Sequence, residues 1–381
     1  MNNEKKCTGC TACVSICPKK CIKMVENDEG FKYPIIDRKN CINCGLCSTV
    51  CPIEKEKEKV EIKEKIYAFK NKDEEIRNLS TSGGFFTAIS DFVLEKSGSV
   101  YGAIFDNNFV VKHNRATSLK ERDNMRHSKY VQSDMQNIMP LVENDLKTGM
   151  YVLFTGNPCQ ISGLISYLKL KKIETNKLIT CDFICHGVPS PKIWRDYLDF
   201  FEHKYKDKIV YINFREKSKG WHKPCLDIRF KEHELSQTES QSAYYHLFYS
   251  NCILRPSCHL CEYSNLERVS DITMGDCWGI KETKKEIDDN KGLSFIMANT
   301  EKGKEIVNDL KNKHFFENIS LKDVKQPHLY HPAKISKNRE KFWKEYNKKG
   351  FKYVLNKYGH YSYKNKIILK FKRIILRIMN K

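Results

Sequence analysis

A cysteine run that occurs twice constrains this chain more than any other feature. It reads Cys7-x-x-Cys10-x-x-Cys13-x-x-x-Cys17-Pro18 and, about two dozen residues later, Cys41-x-x-Cys44-x-x-Cys47-x-x-x-Cys51-Pro52. Three thiolates spaced by two residues wrap one four-iron cube, and the fourth, followed by proline, is turned toward the cube of the other run. The spacing predicts one cluster on Cys7, Cys10, Cys13 and Cys51, and a second on Cys41, Cys44, Cys47 and Cys17. Each half then ties down the other. Cys21 lies outside the spacing and reads as a spare or buried thiol.

Two other chemistries use many cysteines. A disulfide framework needs an oxidising compartment and usually a secretory signal, but the stretch from Met1 to Lys6 has no apolar segment. Structural zinc generally takes pairs of close cysteines, not two interlocking runs of four. The stretch resembles a bacterial two-cluster ferredoxin. A module of that kind passes one electron at a time, so the function depends on what the remaining chain does with those electrons.

At 381 residues, two or three domains are expected, and a 40% hydrophobic share is enough for a packed core. No run of eighteen apolar residues exists that would predict a spanning helix. Of the 17 cysteines, nine lie in the module, and redox cofactors in a reducing cytoplasm suit them best. The formal charge of +20 raises the question of a polyanion partner. Residues 334–381 hold sixteen Lys or Arg and two Glu, so most of the excess sits in one tail and a nucleic-acid partner is not expected.

The alternating charges from Glu54 to Lys59 read as a solvated linker and place a boundary near residue 60. A strand at Ile66–Phe69 opens a second domain. Thr81-Ser82-Gly83-Gly84 runs into a helical pattern, a turn whose backbone can approach an anion or a flat ring. Residues 100–105 and 109–113 alternate as a β-hairpin around Asp106-Asn107-Asn108. Arg126 to Ser133 gathers polar and cationic side chains before a helix at 135–146.

Met150–Phe154 is a buried-type strand ending in Thr155-Gly156-Asn157-Pro158-Cys159-Gln160 and a helix, a doubly-wound α/β pattern with a cysteine where α/β ligands sit. The strand at 178–184 repeats the arrangement with Cys185-His186-Gly187-Val188-Pro189-Ser190-Pro191. Farther on, Cys258-x-x-Cys261 supplies a pair that needs two more ligands, for which Cys159 and Cys185 stand first, with Cys181, Cys225, Cys252 and Cys277 in reserve. A third 4Fe-4S cluster, a small zinc site and a redox disulfide all fit such a set. Strands follow at Ser270 onward and at 294–299, then a capped helix from Thr300.

Residues 363–379 read as a single helix. Ile367, Ile368, Phe371, Ile374, Ile375 and Ile378 share one side, and Lys366, Lys370, Arg373 and Arg377 the other. A basic amphipathic helix of this kind lies on an anionic membrane surface or packs against protein, and the pattern leaves both open.

With these motifs in view, residues 66–313 resemble the coenzyme F420 hydrogenase/dehydrogenase beta-subunit family, which includes 7-hydroxymethyl chlorophyll a reductase. The matching segments are Thr81–Gly84, Ser128–Ser133, Gly156–Gln160, Asp182–Pro191, Cys258-x-x-Cys261 and Ser270–Thr273. The resemblance implies a flavoprotein that carries FAD beside its clusters and moves electrons between a one-electron carrier such as ferredoxin and a two-electron acceptor. It implies Ser82, Gly83, Gly84, Lys129, Gly156, Asn157, Pro158, Gln160, His186 and Gly187 at the cofactor, and Cys159, Cys185, Cys258 and Cys261 as ligands of the inner cluster. Another outcome is a non-catalytic electron-transfer subunit that docks to a separate catalytic partner.

The expected fold is mixed α/β in three parts. Residues 1–60 form a small bacterial-type ferredoxin domain, 61–320 a larger α/β flavin and iron-sulfur domain, and 321–381 a basic helical tail. The expected setting is the cytoplasm of an anaerobe, with peripheral contact at the inner face of the membrane through the tail.

Overall fold

The computed structural model describes residues 4–54, 65–232, 234–235 and 242–362. The charged linker after Glu54 and the C-terminal amphipathic segment lie outside these residues.

The N-terminal module consists of α1 (Ala12–Ile16), β1 (Ile22–Glu26), β2 (Lys32–Ile36) and α2 (Leu46–Thr49), with β1 and β2 paired antiparallel. The sequence repeat is also a backbone repeat. Gly9 and Asn43, just before the second cysteine of each run, take φ of 74° and 53°, and Thr11 and Gly45, just after it, take 66° and 74°. These left-handed positions wrap the chain tightly around each second cysteine.

The body is built from β3 (Lys65–Lys70), β4 (Ser99–Phe105), β5 (Val111–Ala116), β6 (Val152–Gly156), β7 (Leu178–Phe183), β8 (Ile209–Glu216), β9 (Cys225–Phe230), β10 (Glu234–Leu235), β11 (Ile272–Asp276), β12 (Ser294–Ala298) and β13 (Phe315–Asn318). Its helices are α3 (Glu74–Asn78), α4 (Phe85–Leu94), α5 (Leu119–Asp123), α6 (Ile138–Lys147), α7 (Pro158–Leu170), α8 (Pro191–Tyr205), α9 (Ser242–Tyr249), α10 (Glu301–Lys311), α11 (Arg339–Lys349) and α12 (Phe351–Tyr358).

Eight strands form one sheet in the order β13-β3-β12-β11-β7-β6-β4-β5. The central four, β11, β7, β6 and β4, are parallel, and the flanking pairs are antiparallel. Every residue of β6 and β12 is buried, as strands covered on both faces require. A three-stranded sheet, β10-β9-β8, packs with α8 and α9 around Trp194, Phe214 and Tyr244. Helices α11 and α12 complete that core with Phe342, Trp343, Val354 and Leu355. None of the helices in the described residues is long and apolar enough to cross a membrane.

Candidate iron-sulfur and cofactor sites

The module brings Cys7, Cys10, Cys13 and Cys51 together and, separately, Cys17, Cys21 and Cys41. Burial pushes the Cys10 thiol up to about 11, and the neighbouring Cys7 and Cys51 add to the rise. Cys13 is raised further by burial and by Cys10, Cys7 and Cys51. Cys51, distant in sequence, thus faces the first run. On the other side, Cys17 Sγ lies 3.5 Å from Cys21 Sγ, and Cys41 is a second neighbour of Cys21. Cys44 of this set is exposed, whereas Cys17, Cys41 and Cys47 are half-buried.

Four further cysteines converge inside the body. Cys159 is the second residue of α7, Cys185 follows β7, and Cys258 and Cys261 come from the turn Pro256–Leu260 and its exit. All four line one small cavity with Thr8 and Ile53 of the module on one side and His186, Gly187 and His328 on the other. Burial raises the Cys159 thiol well above its ordinary value, and Cys261, Cys185 and Cys258 raise it further. Cys185 is raised in the same way, and Cys258 to about 11. Crowded into a dry site, these four groups stay neutral because as thiolates they would repel one another and lack solvation, two costs that a cationic iron core would remove.

The approach is close on both sides. A Cβ on Gly187 would stand 3.2 Å from Cys258 Cβ, and one on Gly163 of α7 would stand 2.8 Å from Cys10 Sγ. The Val188 amide donates to Cys258 Sγ at 3.4 Å. The reserve cysteines sit elsewhere: Cys181, Cys252 and Cys277 are packed in apolar clusters, and Cys225 lies beside Glu216.

Behind Cys185 the chain is stitched by buried polar contacts. Arg268, 1% exposed at its side chain, pairs with the fully buried Asp182 at 2.8 Å and also donates to Thr273 Oγ1 and Tyr263 O. Asp271 accepts from the Thr180 amide and hydroxyl and from Thr300 Oγ1. Asp182 and the Ser270–Thr273 segment therefore hold β7, β11 and the start of α10 in register.

Beyond the inner cysteines opens a cavity of about 870 Å³, which Cys185, His186, Gly187 and His328 line from the cluster side. Ser82, Gly84, Lys129, Asn157 and Gln160 are also in its wall. Gly84 caps α4 at φ 88°, and Ser82 Oγ donates to Leu293 O at 2.7 Å. Gly83 packs against backbone instead, and Gly156 against side chains. A Cβ on Gly83 would fall 2.2 Å from Phe69 O, and one on Gly156 would meet Gln160 and Phe154 at 3.1 Å. Pro158 is the first residue of α7 and faces the cysteine cavity.

Lys129 Nζ donates to the carbonyls of Met125, Arg126 and His127 at 3.4, 2.8 and 3.2 Å, and burial pushes it down to about 7. It also lines the cavity. His113 joins Ser133 Oγ at 2.7 Å and Thr155 O at 3.1 Å, and burial lowers it to about 4. The charged residues in the wall are Arg126, Lys129, Arg215 and Lys325 against Asp276 alone.

Arg255, which sequence reasoning passed over, joins module to body. Its Nε donates to Cys7 O at 2.7 Å, Nη2 to Lys32 O at 3.0 Å and to Cys7 Sγ at 3.7 Å, and Nη1 to Gln132 Oε1 at 2.9 Å. The guanidinium also lies over Tyr33 at 4.3 Å. An arginine followed by proline three residues before the Cys-x-x-Cys pair was the available signal. Lys32–Asp134, Arg195–Glu26 and Arg339–Glu29 ion pairs extend the seam.

Two thiol sets in one small module, a third beneath it and a cavity beyond define an iron-sulfur electron-transfer protein. Residues 6–55 match the 4Fe-4S dicluster domain, and residues 149–324 match the family described as the C terminus of the coenzyme F420 hydrogenase/dehydrogenase beta subunit. The chain thus carries an N-terminal 4Fe-4S dicluster domain, and its residues 149–324 are similar to the C-terminal part of that beta subunit. Among solved structures it is similar to a chain of the F420-reducing [NiFe] hydrogenase complex from Methanosarcina barkeri, at 20% identity and a TM-score of 0.46, over 71% of this chain and 87% of that one. No curated protein matches.

Proposed function

We propose that this protein is an oxidoreductase that collects electrons singly through its ferredoxin module and delivers them in pairs to a substrate at a flavin held in the large cavity. The observation that carries the proposal is the position of Cys159, Cys185, Cys258 and Cys261. Their small cavity touches the module through Thr8 and Ile53, and it shares Cys185, His186 and Gly187 with the large one. The order is module, inner cysteines, cavity.

The large cavity falls within the usual size range for ligand sites. Its cationic wall suits an anionic dinucleotide, so FAD is the flavin proposed. When bound, FAD supplies storage of one electron and release of two, which cubes cannot do. The chain's own residues supply the rest. Ser82 and Gly84 shape the turn at the N-terminus of α4, Lys129 presents an amino group held by three carbonyls that a bound anion would keep protonated, and Tyr130, Phe248 and Trp278 add an aromatic wall. Exposed Lys19, Lys20, Arg38 and Lys39 neighbour the second set of module cysteines in sequence and favour an acidic one-electron carrier of the ferredoxin type as donor.

Anaerobic purification followed by iron, sulfide, zinc and released-flavin analysis tests this reading. About one flavin with eight to twelve irons per chain is expected. Iron without flavin would leave a relay and remove the cavity assignment. Cys258→Ser with Cys261→Ser is expected to lower iron while sparing the module's signal, and unchanged iron removes both from the ligand set. Substrate-dependent turnover by the purified chain distinguishes an enzyme from a subunit that needs a catalytic partner.

A further inference from the structure

The two cysteine runs are not equivalent. Four residues after Cys51, the last cysteine of the second run, stands Lys55; four residues after Cys17, the last of the first run, stands Cys21. Cys21 is 7% exposed, ends the turn that follows Pro18 and directly precedes β1. Its backbone carbonyl accepts from the Asp37 amide at 2.8 Å, which pins it beside the end of β2. Its Sγ is 3.5 Å from Cys17 Sγ, and Cys41 is its other thiol neighbour. A fifth thiol therefore stands within reach of the corner that Cys17 is spaced to occupy.

The second set is also the one that meets solvent. Cys44 is exposed, as are Ile42, Asn43 and Gly45 around it, whereas the first set faces α7 through Cys10. A cluster at that position encounters oxidants and chelators first, and loss of one ligand is the first step of its decay.

We propose that Cys21 is an alternate ligand of the outer cluster, able to take the iron corner otherwise held by Cys17. The exchange breaks the iron–sulfur bond to Cys17 and forms the one to Cys21, while the Cys21 proton passes to Cys17. The iron and sulfide oxidation states do not change, so no oxidant or reductant is required. The consequence is a cluster that survives release of one thiolate, at the end of the chain where release is most frequent. This inference rests on the two-cluster reading of the module and goes beyond it by giving a role to a ninth cysteine outside the motif.

The experiment compares iron and acid-labile sulfide per chain in anaerobically purified full-length wild type, Cys17→Ser, Cys21→Ser, Cys17→Ser/Cys21→Ser and Cys51→Ser, together with the low-temperature electron paramagnetic resonance of the reduced proteins. Cys17→Ser and Cys21→Ser are each expected to keep the wild-type iron. The double variant is expected to lose one cluster, about four irons, and Cys51→Ser is expected to do the same. Equal losses in Cys17→Ser and in the double variant overturn the proposal. If Cys17→Ser accumulates only as aggregates, the same comparison is made after refolding with ferrous iron and sulfide, and failure of Cys17→Ser to regain what Cys21→Ser regains also overturns it. A wild type lacking the iron of two module clusters would instead overturn the two-cluster reading, so the two failures are distinct.

Discussion

Replacing Arg255 with methionine tests whether the module is held by one side chain. The guanidinium is 1% exposed and makes three contacts of 2.7 to 3.0 Å across the seam, to Cys7 O, Lys32 O and Gln132 Oε1. Hydrogen bonds to a charged group are worth about 1.5 to 3 kcal/mol each. Methionine keeps much of the apolar stem but leaves three acceptors unpaired at a closed interface. Taking the low end for each contact, and allowing part to be recovered by water entering the seam, docking weakens by about 3 kcal/mol. That corresponds to roughly a hundredfold rise in the undocked population.

Hydrogen exchange of the anaerobic holoprotein reads this directly. In Arg255→Met the amides of Gln132 and Asp134, which bond Pro189 O and Val111 O, are expected to exchange faster, along with those of 31–33. The central amides of β6 are expected to stay as they are. Arg255→Lys, with one compact donor group in place of a fork, is expected to fall between. Exchange in the seam equal to wild type would refute the assignment of Arg255 as the principal tie and shift that role to the Lys32, Arg195 and Arg339 ion pairs.

Three further outcomes follow from the geometry. Gly83→Ala places a methyl 2.2 Å from Phe69 O and 2.7 Å from the Ser294 amide nitrogen, both backbone, and is expected to destabilise by about 3 kcal/mol; an unchanged melting temperature contradicts it. Lys129 is pushed down to about 7 in the folded chain but titrates near 10.4 when unfolded, so between those values only the unfolded chain holds the proton and stability rises with pH. Lys129→Met is expected to remove that rise, with a gain over wild type that is largest below pH 7, at most about 5 kcal/mol, and vanishes toward pH 10. Urea denaturation of flavin-free protein across that range, with parallel profiles for the two proteins, would count against it. The full chain is expected to pellet with anionic liposomes and a chain ending at Tyr361 is not; equal pelleting removes the membrane role of the tail.

The sequence made the parallel half of the main sheet readable because β6 and β7 are apolar runs that end in Gly-Asn-Pro-Cys and Cys-His-Gly, and local composition suffices for that. The β8–β9 ribbon was harder. Asn213, Arg215 and Asp227 are buried in it beside Phe214, so its polarity pattern is neither alternating nor continuous. Helices α11 and α12 were hidden by lysine. Each contributes two buried apolar residues, Phe342 with Trp343 and Val354 with Leu355, and the charged faces between them mask the period. Among site residues, cysteines announce themselves by spacing, whereas Arg255 and His113 act through contacts with residues tens to hundreds of positions away. Spacing along one chain carries no trace of such pairs.

The seam between module and body sets an order on assembly. Every body residue named in it, from Gln132 to Arg339, is translated after the module's own eight motif cysteines are complete. During synthesis there is accordingly an interval in which Cys10 stands open, with Gly163 and the rest of α7 not yet made. Iron and sulfide delivered in that interval meet the first set open; delivered later, they reach it only after the module leaves its dock, while the second set still meets solvent. For this chain, the timing of cofactor insertion is written into where the grip residues fall along the polypeptide.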